Sequence, residues 1–134
     1  MTKVIDIEGI GPTYAAKLKE AGVKTVEGLL KVAATRAGRK ALAEKSGIRE
    51  ESILEWANRA DLFRIKGVGE EYSDLLENAG VDTVPELARR KAESLYSKLI
   101  EVNKAKRLVR QAPSQSQVTS WIEQAKTLPR VIEY

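Results

Sequence analysis

Residues 7–26, IEGIGPTYAAKLKEAGVKTV, contain the pattern that decides the fold, and residues 65–84, IKGVGEEYSDLLENAGVDTV, repeat it. In each copy an aliphatic residue precedes a Gly-aliphatic-Gly turn, an amphipathic stretch follows, and Ala-Gly-Val closes the stretch. Apolar residues within the stretch recur at three- and four-residue spacing, which predicts a helix. The chain is therefore expected to form a glycine turn, a short helix and a glycine stop twice.

The repeat extends over residues 5–30 and 63–88, which align without a gap and share eleven identical positions. The similarity resumes further on, after an insertion in the second copy, where Trp56 matches Trp121 within equivalent apolar stripes. We interpret both tryptophans as core anchors and not as base-stacking residues, because large aromatic side chains are usually buried. The self-similarity indicates a tandem duplication. We predict two halves, residues 1–61 and 62–134, packed as one rigid unit.

Helix signals recur along the chain, and no segment has the pattern of a strand. Pro12 suits a first helical turn, Gly22 and Gly80 suit left-handed helix stops, and Thr83 with Glu86 has the spacing of a capping box. These signals predict an all-α protein, a tandem duplicated bundle of short helices. The last residues, Val131 to Tyr134, carry no pattern, and we expect them to fray.

The composition excludes several classes of function. The 134 residues include no Cys and no His, so thiolate nucleophiles, imidazole bases and the usual zinc ligands are absent. No phosphate-binding loop lysine or two-metal carboxylate spacing is recognisable. We therefore expect no enzymatic activity, no cofactor and no metal site. No apolar run reaches membrane-spanning length and the first residues lack a signal-peptide core, so we predict a cytoplasmic protein without membrane contact.

The segment Gly9-Ile10-Gly11, with the helix through Leu18 and the closing Ala21-Gly22-Val23, resembles the helix-hairpin-helix motif, and Gly67-Val68-Gly69 begins a second copy. The resemblance implies a SAM-like tandem helix-hairpin-helix bundle that grips the sugar-phosphate backbone of DNA through hairpin amides, without reading base sequence. As a whole the chain resembles the bacterial family called domain of unknown function 4332. The segments 7–12, 38–48 and 54–62 carry this second resemblance, which implies the paired-hairpin fold.

Two glycines on either side of one aliphatic residue leave backbone amides at the start of the next helix, and such a helix start attracts anions. The alternative is a tight turn that only permits close helix packing. Lys17 either faces a phosphate or is a solvated helix residue. With the basic residues of the following helix included, the predicted DNA-binding residues are Gly9, Ile10, Gly11, Thr13, Lys17, Arg36, Arg39, Lys40, Gly67, Val68 and Gly69.

Charge is distributed unevenly about the net value of +4. Residues 31–49 carry +5 and residues 89–110 carry +6, whereas residues 70–86 carry −6 and contain no Lys or Arg. Carboxylates beside the second hairpin would repel phosphate, so the first hairpin and its basic neighbours are the better candidates. We expect a DNA backbone as partner, with RNA as an open alternative. A competing hypothesis is a protein interaction or self-association module, in which the acidic second hairpin meets the basic C-terminal helices.

Overall fold

The structure, a computed structural model, describes residues 3–7 and 9–134 and divides into two units. Unit 1 comprises Met1–Asp61 and Val131–Tyr134, and unit 2 comprises Leu62–Arg130. The last four residues belong to unit 1, and the division of the chain into repeats 1–61 and 62–134 stays a prediction. That the two halves form one rigid unit stays a prediction.

Unit 1 begins with a 3-10 turn, Val4–Asp6, followed by helices α1 (Pro12–Glu20), α2 (Val26–Ala33), α3 (Arg36–Ser46) and α4 (Glu50–Leu62). Thr25 caps α2 by accepting a hydrogen bond from the Gly28 amide at 2.9 Å, and Thr35 caps α3 in the same way. Such caps satisfy amides that the first helical turn leaves without an intrahelical acceptor. Since α4 continues to Leu62, the junction between the units is helical.

Unit 2 consists of α5 (Glu70–Asn78), α6 (Val84–Arg89), α7 (Ala92–Lys106) and α8 (Gln115–Thr127). The Thr83 hydroxyl oxygen accepts a hydrogen bond from the Glu86 amide at 3.2 Å, so Thr83 caps α6 as the sequence predicted. Helix α7 has 15 residues against 11 in α3, and the loop that follows it spans residues 107–114 against 47–49. The insertion in the second copy therefore consists of a longer helix and a longer loop.

The predicted glycine stops are confirmed. Gly22 and Gly80 have φ angles of 91° and 92°, a left-handed conformation that strains residues with a Cβ atom. After each glycine the chain bonds back to its helix: the Val23 amide donates to Leu18 O at 2.8 Å, and the equivalent Val81 bond measures 2.9 Å. Helices α1 and α5 consequently end with the same turn.

Each unit has its own core. Leu18, Leu29 and Ile53 are fully buried in unit 1, and Leu76, Leu87 and Val118 are fully buried in unit 2. Trp56 and Trp121 are buried among them, which confirms both tryptophans as core residues. Within residues 3–7 and 9–134 the only extended pairing is an isolated bridge between Lys3 and Thr25, so the protein is all-α as predicted.

The C-terminal tail differs from its prediction. The Glu133 amide donates to Ala34 O at 2.7 Å, and the Tyr134 hydroxyl donates to Asn58 Oδ1 at 2.6 Å. Ile132 between them is buried. These contacts hold the tail in unit 1, so the expectation that it frays is wrong. The contacts were not predicted because the partners of the tail lie far away in the sequence.

Candidate nucleic-acid interface

The first glycine of each turn has the same conformation and the same neighbour. Gly9 and Gly67 both have φ of +94°. A Cβ atom at Gly9 would lie 3.4 Å from the Trp56 indole nitrogen, and one at Gly67 would lie 3.0 Å from that of Trp121. The φ angle favours glycine at both positions, and at Gly67 the close approach of the Trp121 ring adds a second reason.

The aliphatic residue between the two glycines of each turn is part of the core. Ile10 and Val68 are buried, and their amides donate to Ile7 O and Ile65 O at 3.0 and 3.1 Å. Neither residue presents its side chain or its amide to a ligand. Of the predicted binding residues, Ile10 and Val68 therefore shape the turn from inside.

The second glycine of each turn stands at the exposed start of a helix. Gly11 is the N-cap of α1 and Gly69 the N-cap of α5, with ordinary φ angles of −86° and −109°. A Cβ atom at either position would meet nothing within 4 Å. In the first turn of α1, Pro12 has no amide hydrogen, and the Thr13 and Tyr14 amides precede Ala15, whose amide donates the first hydrogen bond of the helix, to Gly11 O at 2.9 Å. The start of α1 thus offers amide donors to an anion.

Electrostatics separates the two helix starts. The first turn of α5 carries Glu70 and Glu71, both exposed, whereas that of α1 carries no acidic residue. A helix start concentrates about half a unit of positive charge, which carboxylates in the same turn neutralise and which an external anion otherwise feels. The α1 turn is therefore the one suited to a phosphate.

Lys17 lies one turn further along α1 and is exposed. Its Nζ atom is 5.7 Å from the centroid of the Tyr14 ring, which in turn packs against Trp56 at a centroid distance of 5.1 Å and an angle of 60°. The Lys17 side chain is thus directed along an aromatic surface toward the start of its own helix. One full positive charge therefore lies over the ring of Tyr14, a residue of the first turn of α1.

Arg39 occupies a different place from the one expected of a DNA contact. It is only 5% exposed, and its guanidinium donates to Ala33 O at 3.0 Å and to Glu133 O at 2.8 Å. These hydrogen bonds close the end of α2 and hold the C-terminal tail. The guanidinium is turned inward, so the structure assigns Arg39 a folding role in place of the predicted phosphate contact.

Arg36 and Lys40 are exposed on α3, four residues apart and hence on one face of the helix. That face forms one side of a shallow groove, whose other side carries Glu50, Glu51 and Leu54 of α4. The acidic pair partly offsets the two basic charges. The basic stretch 31–49 is thus not a uniformly positive surface.

The loop after α7 and the end of α7 cover one side of α5, a feature that was not predicted from the sequence. The Tyr72 hydroxyl donates to Gln111 O at 3.0 Å, and Lys106 Nζ donates to Asn78 Oδ1 at 2.8 Å, so the long loop and the end of α7 lie against α5. Leu75 of α5 is fully buried in the core of unit 2, whereas Lys17, its equivalent in the first copy, is exposed. Tyr14 is 40% exposed and Tyr72 is half-buried. The insertion in the second copy was the one sequence signal for this difference.

Among the described residues, none of the helices is long and apolar enough to cross a lipid bilayer. In the same part of the chain no three or more potential metal-ligating side chains come together.

A family model, that of the domain of unknown function 4332, matches residues 8–128, which is most of the chain. No curated protein and no solved structure matches the sequence.

Proposed function

The chain belongs to the domain of unknown function 4332 family, and we propose that it binds the sugar-phosphate backbone of DNA without reading base sequence. The observation that carries the proposal is the start of α1, where exposed amides, a glycine N-cap and an uncharged first turn coincide. In this proposal the Thr13 and Tyr14 amides donate to a phosphate oxygen, and the positive end of the helix dipole attracts the phosphate charge.

We interpret the two glycine turns as a tandem of helix-hairpin-helix motifs. The equal φ angles of Gly9 and Gly67, the equal helix starts and the two Tyr–Trp pairs support this interpretation. The ring centroids of Tyr72 and Trp121 lie 5.2 Å apart, against 5.1 Å in the first pair. In this interpretation the two copies of the motif have a common scaffold, and their surface residues determine which copy binds DNA.

Lys17 supplies the charge in the proposed contact, and Arg36 with Lys40 extends it along the backbone. Gly67, Val68 and Gly69 take a structural part only, since Glu70 and Glu71 oppose a phosphate at the second turn. No base-edge contact is invoked, so the affinity should be independent of sequence and should fall steeply with salt as counterions are released.

The test uses a matched pair of glycines, Gly11→Ala and Gly69→Ala. Both positions have ordinary φ angles and room for a methyl group, so neither variant should disturb folding. A methyl group at position 11 would hold a phosphate away from the amides, and the loss of a hydrogen bond to a charged group costs about 1.5–3 kcal/mol. We expect Gly11→Ala to weaken binding by about tenfold or more and Gly69→Ala to leave it unchanged.

Binding is measured by fluorescence anisotropy of a labelled duplex of about 20 base pairs, at about 50 and about 200 mM salt. Lys17→Glu should weaken binding and lower the slope of log affinity against log salt by about one. Lys98→Glu, which makes the same charge change at an exposed position of α7, is the control. Equal effects of the two glycine variants, or of the two lysine variants, would refute the proposed surface.

A further inference from the structure

A second surface of unit 1 lies beside the C-terminal end of α1. Lys3, Val4 and Ile5 of the N-terminal segment, Ala15 and Lys19 of α1, and Lys24 line a shallow groove. The three lysines are exposed, and Ile5 is 42% exposed between them. We call this surface the lysine groove. It combines an apolar floor with a rim of three positive charges.

Two of the equivalent positions in unit 2 carry the opposite charge. In the gap-free alignment of the two copies, Lys19 and Lys24 correspond to Glu77 and Asp82. Helices α1 and α5 have equivalent bounds, so this reversal occurs on a common backbone. These two lysines are therefore not a requirement of the fold, because the fold accepts acidic residues in their place.

The apolar floor indicates what kind of partner the groove suits. A phosphate backbone offers charge but little apolar surface, whereas a protein surface offers both, and exposed apolar side chains with a charged rim are typical of protein contacts. The chain itself supplies a surface of matching charge, the acidic stretch 70–86, which carries −6 and no basic residue. Glu71 and Asp82 are exposed within it.

We propose that the lysine groove of one molecule binds the acidic stretch of a second copy. The contact is head to tail, because it joins unit 1 of one molecule to unit 2 of the next. A contact between two different surfaces leaves one of each open at the ends, so it closes into a ring or continues as a filament. Charge complementarity of this kind speeds association, and salt weakens it.

Complementary charge reversals test the proposal. One variant carries Lys19→Glu with Lys24→Glu, and the other carries Glu71→Lys with Asp82→Lys. The first variant changes the charge of the three groove positions from +3 to −1, which repels the acidic stretch, and should lose self-association. The second lowers the charge of residues 70–86 from −6 to −2 and should weaken self-association. In an equimolar mixture the unmodified groove of the second variant meets the unmodified acidic stretch of the first, so the mixture should form one-to-one complexes. Lys98→Glu with Lys104→Glu, two exposed positions on α7, gives the same change of charge outside the groove and should associate as the unmodified chain does.

Sedimentation velocity over about 10 to 500 µM protein, at about 50 and about 300 mM salt, gives the assembly state. We expect concentration-dependent association at low salt and a shift toward monomer at high salt. An unmodified chain that stays monomeric throughout overturns the proposal, as does a mixture of the two variants that fails to associate. The Lys19/Lys24 variant is also titrated with the labelled duplex. Unchanged self-association with weakened DNA binding would assign the groove to DNA and likewise overturn the proposal.

Discussion

Helices α1 and α5 have the same backbone conformation at both ends, but most of their solvent-exposed side chains differ. Both follow a glycine turn with φ of +94°, both begin at a glycine N-cap, and both end at a left-handed glycine. Yet the start of α1 is uncharged and exposed, while α5 begins with Glu70 and Glu71 and is covered by the loop after α7. One scaffold thus supports opposite surfaces, because the two copies share their glycines, their buried apolar and aromatic residues and their threonine caps, and not their exposed residues.

The largest expected effect concerns the buried Arg39 of unit 1, whose guanidinium holds the C-terminal tail. Arg39→Ala removes the buried donors to Ala33 O and Glu133 O and should destabilise the protein by about 2–4 kcal/mol. Thermal unfolding followed by circular dichroism measures the loss, and carboxypeptidase digestion should release the tail faster.

Lys40→Ala is the control for Arg39→Ala, since its side chain is the exposed neighbour on the same helix. It should change stability by about 0.5 kcal/mol or less. Equal stability of the two variants would contradict the folding role of Arg39.

The next effect sharpens the comparison between the two turns. Alanine at Gly9 or Gly67 introduces strain at φ of +94°, for which we expect a loss of about 1–3 kcal/mol. Gly67→Ala should cost more than Gly9→Ala, because its Cβ would lie 3.0 Å from Trp121 Nε1 against 3.4 Å from Trp56 Nε1. Urea unfolding ranks the two variants, with Gly69→Ala as the unstrained control. The reverse ranking would show that the indole contact is not what distinguishes the turns.

A smaller effect tests the cover over α5. Tyr72→Phe removes the hydrogen bond to Gln111 O and should lower stability by about 0.5–1.5 kcal/mol. Tyr14→Phe alters the equivalent residue of unit 1, whose side chain is more exposed, and should have almost no effect on stability. Chemical denaturation of the two variants under the same conditions makes the comparison. A loss of the same size in both would mean that the cover contributes nothing through Tyr72.

The smallest expected effect concerns charge at the second turn. Glu71→Gln removes one repulsive charge from the start of α5 and should raise affinity for a DNA duplex by about two- to fourfold at low salt, in line with helix-terminus charge effects of about 0.3–1 kcal/mol. Glu93→Gln makes the same change in the first turn of α7 and serves as the control. Anisotropy titrations measure the DNA affinity of both variants. An equal increase in affinity would show that only the net charge of the protein matters, and not the position of Glu71.

Much of the fold followed from local pattern. The glycine stops at Gly22 and Gly80, the threonine cap at Thr83 and the buried tryptophans were all predicted, because each depends on neighbouring residues or on a repeated apolar spacing. At the candidate site the same reasoning located the exposed start of α1 and the unfavourable acidic start of α5.

The burial of Arg39 could not be predicted from local pattern. Beside Arg36 and Lys40 it belongs to a basic stretch, and nothing in that stretch distinguishes the buried arginine from its exposed neighbours. Its partner Glu133 lies 94 residues away in the sequence. The C-terminal tail was mispredicted for the same reason. Its hydrogen-bond partners Ala34 and Asn58 are remote in the sequence, so no local pattern indicated that the tail would be held.

The sequence by itself determined the helices, their glycine boundaries and their correspondence between the halves, since these follow from backbone conformational preference and apolar periodicity over a few residues. Only the tertiary structure decided which surfaces remain open. Whether Lys17 meets solvent, Leu75 is buried or Arg39 faces inward depends on contacts between segments distant in the chain, and burial is a property of those contacts and not of residue type.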